Sequence, residues 1–434
     1  MQVVNWDKLD AQDKLSALSR PGALTDERLE QSVTHILKAV RTDGDAALRA
    51  FTEQFDGVAI PDLKIPLGDM KAAWIALPEA DKTALQTAKT NIETFHKAQL
   101  PKVFEVETMP GVVCRREPRP IDSAGLYIPG GSAPLVSTLM MLAIPAKIAG
   151  VPKRIAITPP GKDGKINCNI LAAAYLCGID DLFIGGGAQA IAALGYGTQS
   201  VPKCTKIFGP GNAYVAQAKA QISLEMGGPA IDLPAGPSEA MVLADDQANP
   251  VFVASDLLSQ AEHDPLAQVV CVCTSNTFAS TLMDEIDRQL QTLPRKDIAA
   301  RSLQNGRILI TKRRGTMIEI ANAYAPEHLI VQIQNPEDIM PKIRNAGSVF
   351  LGPWTPESVG DYASGTNHTL PTYGAAHSFS GVGTESFMKF ISVQTLTRKG
   401  LKAIGPCVER LAAMEGLEAH KRAVSLRLES GETS

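Results

Sequence analysis

The sequence predicts an α/β protein built from two Rossmann-like parallel-sheet domains with helical N-terminal and C-terminal appendages. Three observations carry that expectation. From Gly125 onward, short continuously apolar runs alternate with helical patterns, as in parallel sheets whose two faces are covered by helices. The alternation occurs in two consecutive series, before and after Pro237. Glycines cluster where three of the early runs give way to helices, at the strand ends where open α/β sheets hold ligands.

The elements follow in order. Residues 1–124 read as a helical segment ending in a hairpin and packing on the second α/β domain. Thr25 can cap a helix from about Asp26 to Arg41, which Asp43-Gly44 ends. Pro78 opens an amphipathic run to about Gln99. Val103–Glu107 and Val112–Arg116 flank a Pro-Gly turn. Residues 125–236 form the first Rossmann-like domain, with strands at 125–128, 154–158, 181–184 and 205–208 and helices near 134–149, 167–177, 188–195 and 212–226. Residues 237–380 form the second, with strands near 240–244, 268–274, 307–311, 329–333 and 348–351. Residues 352–383, which run across its end, carry six Gly and three Pro and no periodicity, and a loop of that length inside a compact protein tends to be functional. Residues 381–434 return to helix, near 406–414 and, after a break at Gly416, toward Ser430.

Composition excludes several classes. The chain of 434 residues has 42 basic and 46 acidic side chains, a net charge of −4, and so no general attraction to nucleic acid or an anionic membrane. The longest apolar stretch, Leu139–Ala146, is too short to span a bilayer. The start, MQVVNWDKLDAQDK, has no signal-peptide pattern. Seven irregularly spaced cysteines without a C-x-x-C pair argue against a disulfide framework or zinc ribbon and favour the reducing cytoplasm.

The glycine switches are GLYIPGGSAP (Gly125–Pro134), FIGGGAQA (Phe183–Ala190) and IFGPGNAY (Ile207–Tyr214). Glycine permits close backbone approach to a ligand, and a helix N-terminus favours a phosphate. The middle switch matches G-x-G-x-x-A. Yet no Asp or Glu lies between Asp181 and Glu225 to hold a ribose, so a standard dinucleotide fingerprint is absent. Three such loops together point to a ligand crevice.

Polar candidates fall later. In DLLSQAEHDP, Asp256, Gln260 and His263 share the helix face opposite an apolar stripe, and Pro265 leaves His263 in the last turn. An imidazole and an amide oxygen one turn apart can both reach a metal. The bland alternative is a solvated polar face. Glu327 and His328 stand just before a strand and are candidates for acid–base work. Loops that precede strands lie at the edge opposite the glycine switches, which is a difficulty for placing both in one site. Further candidates are Asp361 and His368 in the long loop, and Glu415 and His420 at the C-terminal break. Five of the seven histidines follow residue 260, and no zincin pattern is present.

With these segments assembled, the chain resembles the L-histidinol dehydrogenase family over essentially its whole length. The stretches that carry the resemblance are GLYIPGGSAPL, GGAQAIAAL, KIFGPGNAYV, IDLPAGPSE, ASDLLSQAEHDP, APEHLI, GSVFLGPW, ESVGDYASGTNHTLPTYG and EGLEAHK. The segment AAHSFSGVGTESFMKFIS matches least. The resemblance implies a four-electron oxidation of L-histidinol to L-histidine through a bound L-histidinaldehyde, at the end of histidine biosynthesis, with NAD as co-substrate. It implies one zinc per subunit, held by Gln260, His263, Asp361 and His420. It places Tyr127, Gln189 and Asn212, one from each glycine switch, on NAD. It places Ser238, Gln260, His263, His328, Asp361, His368, Glu415 and His420 around the substrate. His328 is the implied base. No cysteine occurs in the polar segments, so Glu327 is expected to activate water for the second oxidation rather than a thiolate adding to the aldehyde. The family further implies a cytoplasmic homodimer whose tails carry Glu415 and His420 into the partner's site. Two rivals stand against this reading. A metal-dependent hydrolase has no use for three glycine switches, and a non-enzymatic scaffold does not explain five polar segments that do nothing for folding.

Overall fold

The computed structural model describes residues 1–21, 27–130, 134–179, 181–234 and 236–430. The chain divides into two compact units. One comprises Met1–Gln99 and Ile121–Phe387, the other Leu100–Pro120 and Met388–Ser434.

The first unit contains two six-stranded sheets. One runs, edge to edge, Lys64–Ile65, Asp181–Ile184, Lys153–Thr158, Ser123–Tyr127, Lys206–Phe208, Ala230–Ile231. The other runs Gln2–Asn5, Arg307–Ile310, Gln268–Cys273, Glu239–Ala244, His328–Gln332, Ser348–Leu351. If the five core strands of each are counted along the chain, both sheets have the spatial order third, second, first, fourth, fifth. The shared wiring expected from the two series is therefore present, and the nine expected strands fall within two residues of their expected positions; the fifth strand of the first sheet, Ala230–Ile231, was not expected. Each sheet carries one additional edge strand from the N-terminal segment. Lys64–Ile65 joins antiparallel and Gln2–Asn5 joins parallel.

Strand periodicity explains the layering. In the second sheet, Val242, Ala244, Cys271, Cys273, Ile308 and Ile330 pack with Val253, Leu257 and Leu258 of the helix Pro250–Ala261 on one face. Met241, Leu243, Val270, Val272, Leu309, Leu329 and Val331 pack with Met317, Ile320 and Ala321 of the helix Arg314–Tyr324 on the other. Successive side chains point to opposite faces, so both halves of each strand must be apolar.

The N-terminal segment departs from expectation. It was expected to pack on the second α/β domain, but only its start does so. The helices Glu27–Asp43, Asp45–Asp56, Leu67–Ala76 and Glu79–Ala98 pack on helices of the first sheet. Their apolar faces, such as Val33, Ile36, Leu37 and Val40, leave the surface there. The proposed Thr25 cap and Asp26 start lie outside the described residues. The end at Asp43 holds, with Gly44 at a left-handed φ of 57°.

The second unit corrects the picture of a purely helical tail. Its hairpin strands Phe104–Met109 and Val112–Pro120 are joined by a third, Met388–Leu396, antiparallel to Val112–Pro120. The strand pairs in register along its whole length, from Met388 on Pro120 to Leu396 on Val112, with Ile391 and Val393 on one face and Leu396 on the other. The helix expected near 406–414 spans Arg398–Met414, because the Thr397 side chain accepts a hydrogen bond from the Gly400 N–H (3.0 Å) and caps it early. A second helix, Glu418–Glu429, follows the break at Gly416 (φ 72°) and packs back against Gly405.

Candidate functional site

Glu327 and His328 open a central strand of the second sheet, between Ala240 and Ser348. The helix before them ends at Ala325, which holds a left-handed φ of 50° and turns the chain sharply into Pro326. Both side chains are buried, and the backbone of one residue, Glu239, touches each. The Glu239 N–H donates to Glu327 Oε2 (2.9 Å), and His328 Nδ1 donates to the Glu239 carbonyl (3.3 Å). His328 Nε2, also buried, has no hydrogen-bond partner among the described residues.

Three carboxyl groups surround this imidazole. Glu327 Oε2 and Glu357 Oε1 lie 3.8 and 3.9 Å from Nδ1, and Asp361 Oδ1 lies 3.5 Å from Nε2. Burial opposes charge on His328, but Glu357, Glu327 and Asp361 outweigh it and raise its pKa. Burial pushes Glu327 up to about 8, against the pull of His328, and Glu357 likewise to about 8. A carboxyl group poised near neutrality beside a histidine is suited to proton transfer.

Glu357 was not singled out from the sequence. It opens the six-residue helix Glu357–Tyr362, where it and Asp361 stand one turn apart on one face. The E-x-x-x-D spacing inside ESVGDYASGTNH was the available signal. Among the described residues, His328, Glu357 and Asp361 form a group that could hold a cation, their ligand atoms all within 4.8 Å of one another. It shares only Asp361 with the ligand set implied by resemblance.

The helix Pro250–Ala261 packs beside Glu357–Tyr362. Asp256 and Gln260 are not solvated on it but buried, at 4% and 1% exposure. Asp256 accepts from the Gln332 amide (2.7 Å). Neither amide atom of Gln260 has a hydrogen-bond partner among the described residues. A buried amide with two orphaned polar atoms requires a partner that is not protein. His263 lies just past the helix rather than in its last turn, because the Glu262 N–H bond to Leu258 closes the helix first. It is exposed at the rim, yet close enough to the protein mass that desolvation lowers its pKa, with the charges of Asp361, His328 and His368 within reach. His368 bridges inward: its Nδ1 donates to the Asp361 carbonyl (2.9 Å), and its Nε2 lies 3.0 Å from Thr138 Oγ1. Ser238, half-buried, immediately precedes Glu239.

The three glycine switches also converge. Tyr127 OH accepts from the Gly187 N–H (3.2 Å), joining the first and second. A Cβ on Gly209 would fall 2.1 Å from the Tyr127 carbonyl oxygen, so the third abuts the first closely enough to demand glycine there. Burial pushes the Tyr127 phenol up to about 12. Gln189 is buried, whereas Asn212 is exposed and caps the helix Ala213–Leu224 through bonds from the Tyr214 and Val215 N–H groups (3.1 and 3.2 Å). Gly131 to Ala133 of the first switch lie outside the described residues.

The edge problem resolves within this unit. The switches occupy the carboxyl ends of the first sheet, and Ser238, Glu327 and His328 the amino ends of the second. Thr138, in the helix that follows the first switch, meets His368 between them. Glu415 and His420 belong to the second unit and are exposed on it.

A family model described as histidinol dehydrogenase matches residues 19–428. The chain is 49% identical over 429 residues to a histidinol dehydrogenase of Vibrio parahaemolyticus, covering 99% of each. It is 50% identical over 430 residues to one of Campylobacter jejuni, covering 99% of this chain and 100% of that one. Its fold is similar to the crystal structure of histidinol dehydrogenase from Elizabethkingia anophelis, with a TM-score of 0.94, 45% identity, and coverage of 99% of this chain and 98% of that chain.

Proposed function

Since the chain belongs to the histidinol dehydrogenase family, and is thus an oxidoreductase that oxidises histidinol in histidine biosynthesis, we propose that it performs the full NAD-dependent four-electron conversion of L-histidinol to L-histidine through bound L-histidinaldehyde. The observation that carries this is the state of His328. Its Nδ1–H is committed to the Glu239 carbonyl, and its Nε2 is buried and makes no hydrogen bond among the described residues, with the Asp361 carboxylate 3.5 Å away.

In the first oxidation, His328 Nε2 takes the hydroxyl proton of histidinol while a hydride leaves the carbinol carbon for NAD+, giving aldehyde and NADH. Glu327 then takes a proton from water as the water oxygen bonds to the aldehyde carbon, and protonated His328 returns its proton to the aldehyde oxygen, which gives the neutral hydrate and a free imidazole. The hydrate then gives a hydroxyl proton to His328 and a second hydride to a second NAD+, leaving the carboxylic acid, which ionises to the carboxylate. A surrounding buried carboxyl cluster supports both proton transfers. Tyr127, Gln189 and Asn212 are the proposed NAD contacts at the glycine switches. Ser238, His368 and Asp361 are proposed to hold the substrate, and His263 and Gln260 to approach it.

Zinc fits the residues present. The orphaned amide of Gln260 is the independent sign, and Gln260, His263 and Asp361 supply oxygen and nitrogen donors that zinc accepts. His420 of a second copy is the proposed fourth ligand, beside a substrate-contacting Glu415, in a homodimer. When bound, the ion supplies a Lewis acid that orients the substrate's imidazole and amine. Exposed Leu411, Met414, Leu417 and Leu426 on the tail support its docking on a partner. We assign the enzyme to the cytoplasm, a compartment compatible with its seven free cysteines.

The test is to supply purified protein with histidinol and excess NAD+ and count products. Two NADH and one histidine per histidinol, with little free aldehyde, are expected. One NADH with accumulating aldehyde overturns the proposal.

A further inference from the structure

Glu239 links both proposed proton-transfer residues through its backbone, and its side chain is held by a residue far away in the chain. The carboxylate is 1% exposed. Arg20 grips it through two bonds, Nε to Oε2 (2.5 Å) and Nη2 to Oε1 (2.8 Å). The same Nη2 donates to the Tyr324 carbonyl (2.6 Å), and the guanidinium stacks 4.0 Å from the Tyr324 ring centre. The Tyr324 hydroxyl in turn donates to Gln268 Oε1 (2.7 Å) and lies 3.2 Å from Glu239 Oε2. Gln268 pairs in register with Glu239 and donates to the Ser19 carbonyl (3.0 Å).

The segment Ser19–Arg20 therefore crosses the amino edge of the second sheet and pins two adjacent strands at their first residues. Tyr324 belongs to the helix whose end turns into Glu327. Both the strand that presents the Glu239 peptide and the turn that presents the dyad are tied to one guanidinium. A planar, bidentate fork fixes orientation as well as distance, which an ammonium does not.

From this geometry we infer that Arg20 and Glu239 form a positioning clamp for Glu327 and His328, setting the backbone N–H that holds the Glu327 carboxyl and the backbone carbonyl that fixes the His328 tautomer. The inference rests on the proposed acid–base role of that pair. Neither Arg20 nor Glu239 touches the reacting atoms, so both are positioning residues. Displacements of about 1 Å remote from the chemistry can cost on the order of 100-fold in rate.

The experiment compares Arg20→Met, Arg20→Lys and the double variant Arg20→Met/Glu239→Met in the full-length enzyme. It reads kcat and KM for histidinol, thermal unfolding, and the ¹⁵N shifts of the His328 imidazole. Arg20→Met strands a buried carboxylate and is expected to lower both stability and kcat. The double variant removes both charges, and replacing a buried ion pair by apolar groups is often neutral for stability. It is expected to regain the melting temperature while kcat stays about 10–100-fold down with KM within about 2-fold, and the Nδ1 signal moves toward that of an unbonded imidazole. Arg20→Lys is expected to fold and fall between. If kcat and the His328 shifts return in step with the melting temperature, the clamp is only structural and the inference is wrong. If the wild type fails to oxidise histidinol, the functional reading fails instead, and the His328 shifts of the same variants still decide the clamp.

Discussion

His368 Nε2 lies 3.0 Å from Thr138 Oγ1, and this contact joins a loop of the second sheet's lobe to a helix of the first. Because Nδ1 must carry the proton it gives to the Asp361 carbonyl, Nε2 is the acceptor and Thr138 the donor. Burial lowers the His368 pKa, consistent with a neutral ring in one tautomer. Thr138→Val keeps the shape and removes the donor. It is expected to raise KM for histidinol severalfold with a smaller change in kcat, a loss of about 1 kcal/mol, measured by initial rates under saturating NAD+. An unchanged KM would separate His368 from substrate binding.

Glu327→Gln is expected to impair oxidation of supplied histidinaldehyde far more than oxidation of the alcohol, because water activation is lost. His328→Ala should impair both. General acid–base groups are worth about 10²–10⁴-fold. Aldehyde oxidation at the normal rate in Glu327→Gln would remove that residue from the role.

Chelation should abolish turnover while circular dichroism and the melting transition report both sheets intact, since the proposed ligands do not build the cores described above. Full activity in protein shown metal-free by elemental analysis would refute a metal requirement.

Mixed refolding tests the tail. Chains carrying His328→Ala and chains carrying His420→Ala are each expected to be inactive. If tails complete the partner's site, hybrid dimers contain one intact site and activity returns. If each tail serves its own chain, the mixture stays as inactive as its parents.

Asp256 supplies a pH prediction. Burial pushes its carboxyl up to about 6, only partly offset by the Gln332 amide. A carboxyl whose folded pKa exceeds its unfolded value near 3.8 favours folding when protonated, at low pH, and loses that contribution as pH rises through about 6. Asp256→Asn is therefore expected to stabilise the protein by about 1–3 kcal/mol at pH 7.5 and to be neutral below about pH 4. Denaturant titrations at both values give the answer. Destabilisation at pH 7.5 would mean that the carboxylate is held by something stronger than the Gln332 amide.

Much of this was legible in the sequence because it lies in local patterns. Continuous apolar runs marked the strands, and glycine marked the switches that meet at Tyr127. The polar network was harder to read. Glu239 looks like an ordinary strand residue, and Arg20 gains its meaning only from a partner 219 positions away. Gln260 could be placed on a helix face, but the rest of the fold decides that this face is enclosed. The Met388–Leu396 strand was missed for a related reason: its partner, Val112–Pro120, lies far back in the chain.

The edge strand Gln2–Asn5 has its own consequence during synthesis. Its pairing partner begins at Arg307, so at roughly 5–20 residues per second the ribosome needs about 15–60 s to deliver it. During that interval the sheet containing Ser123–Tyr127 can close while Val3 and Val4 wait as an unpaired, sticky segment of the nascent chain. The second sheet then captures an end made long before its own strands, bringing Arg20 with it. An N-terminal fusion that buries or stiffens the first few residues would therefore obstruct assembly late, after most of the polypeptide has been invested, and its signature would be aggregation of long nascent chains.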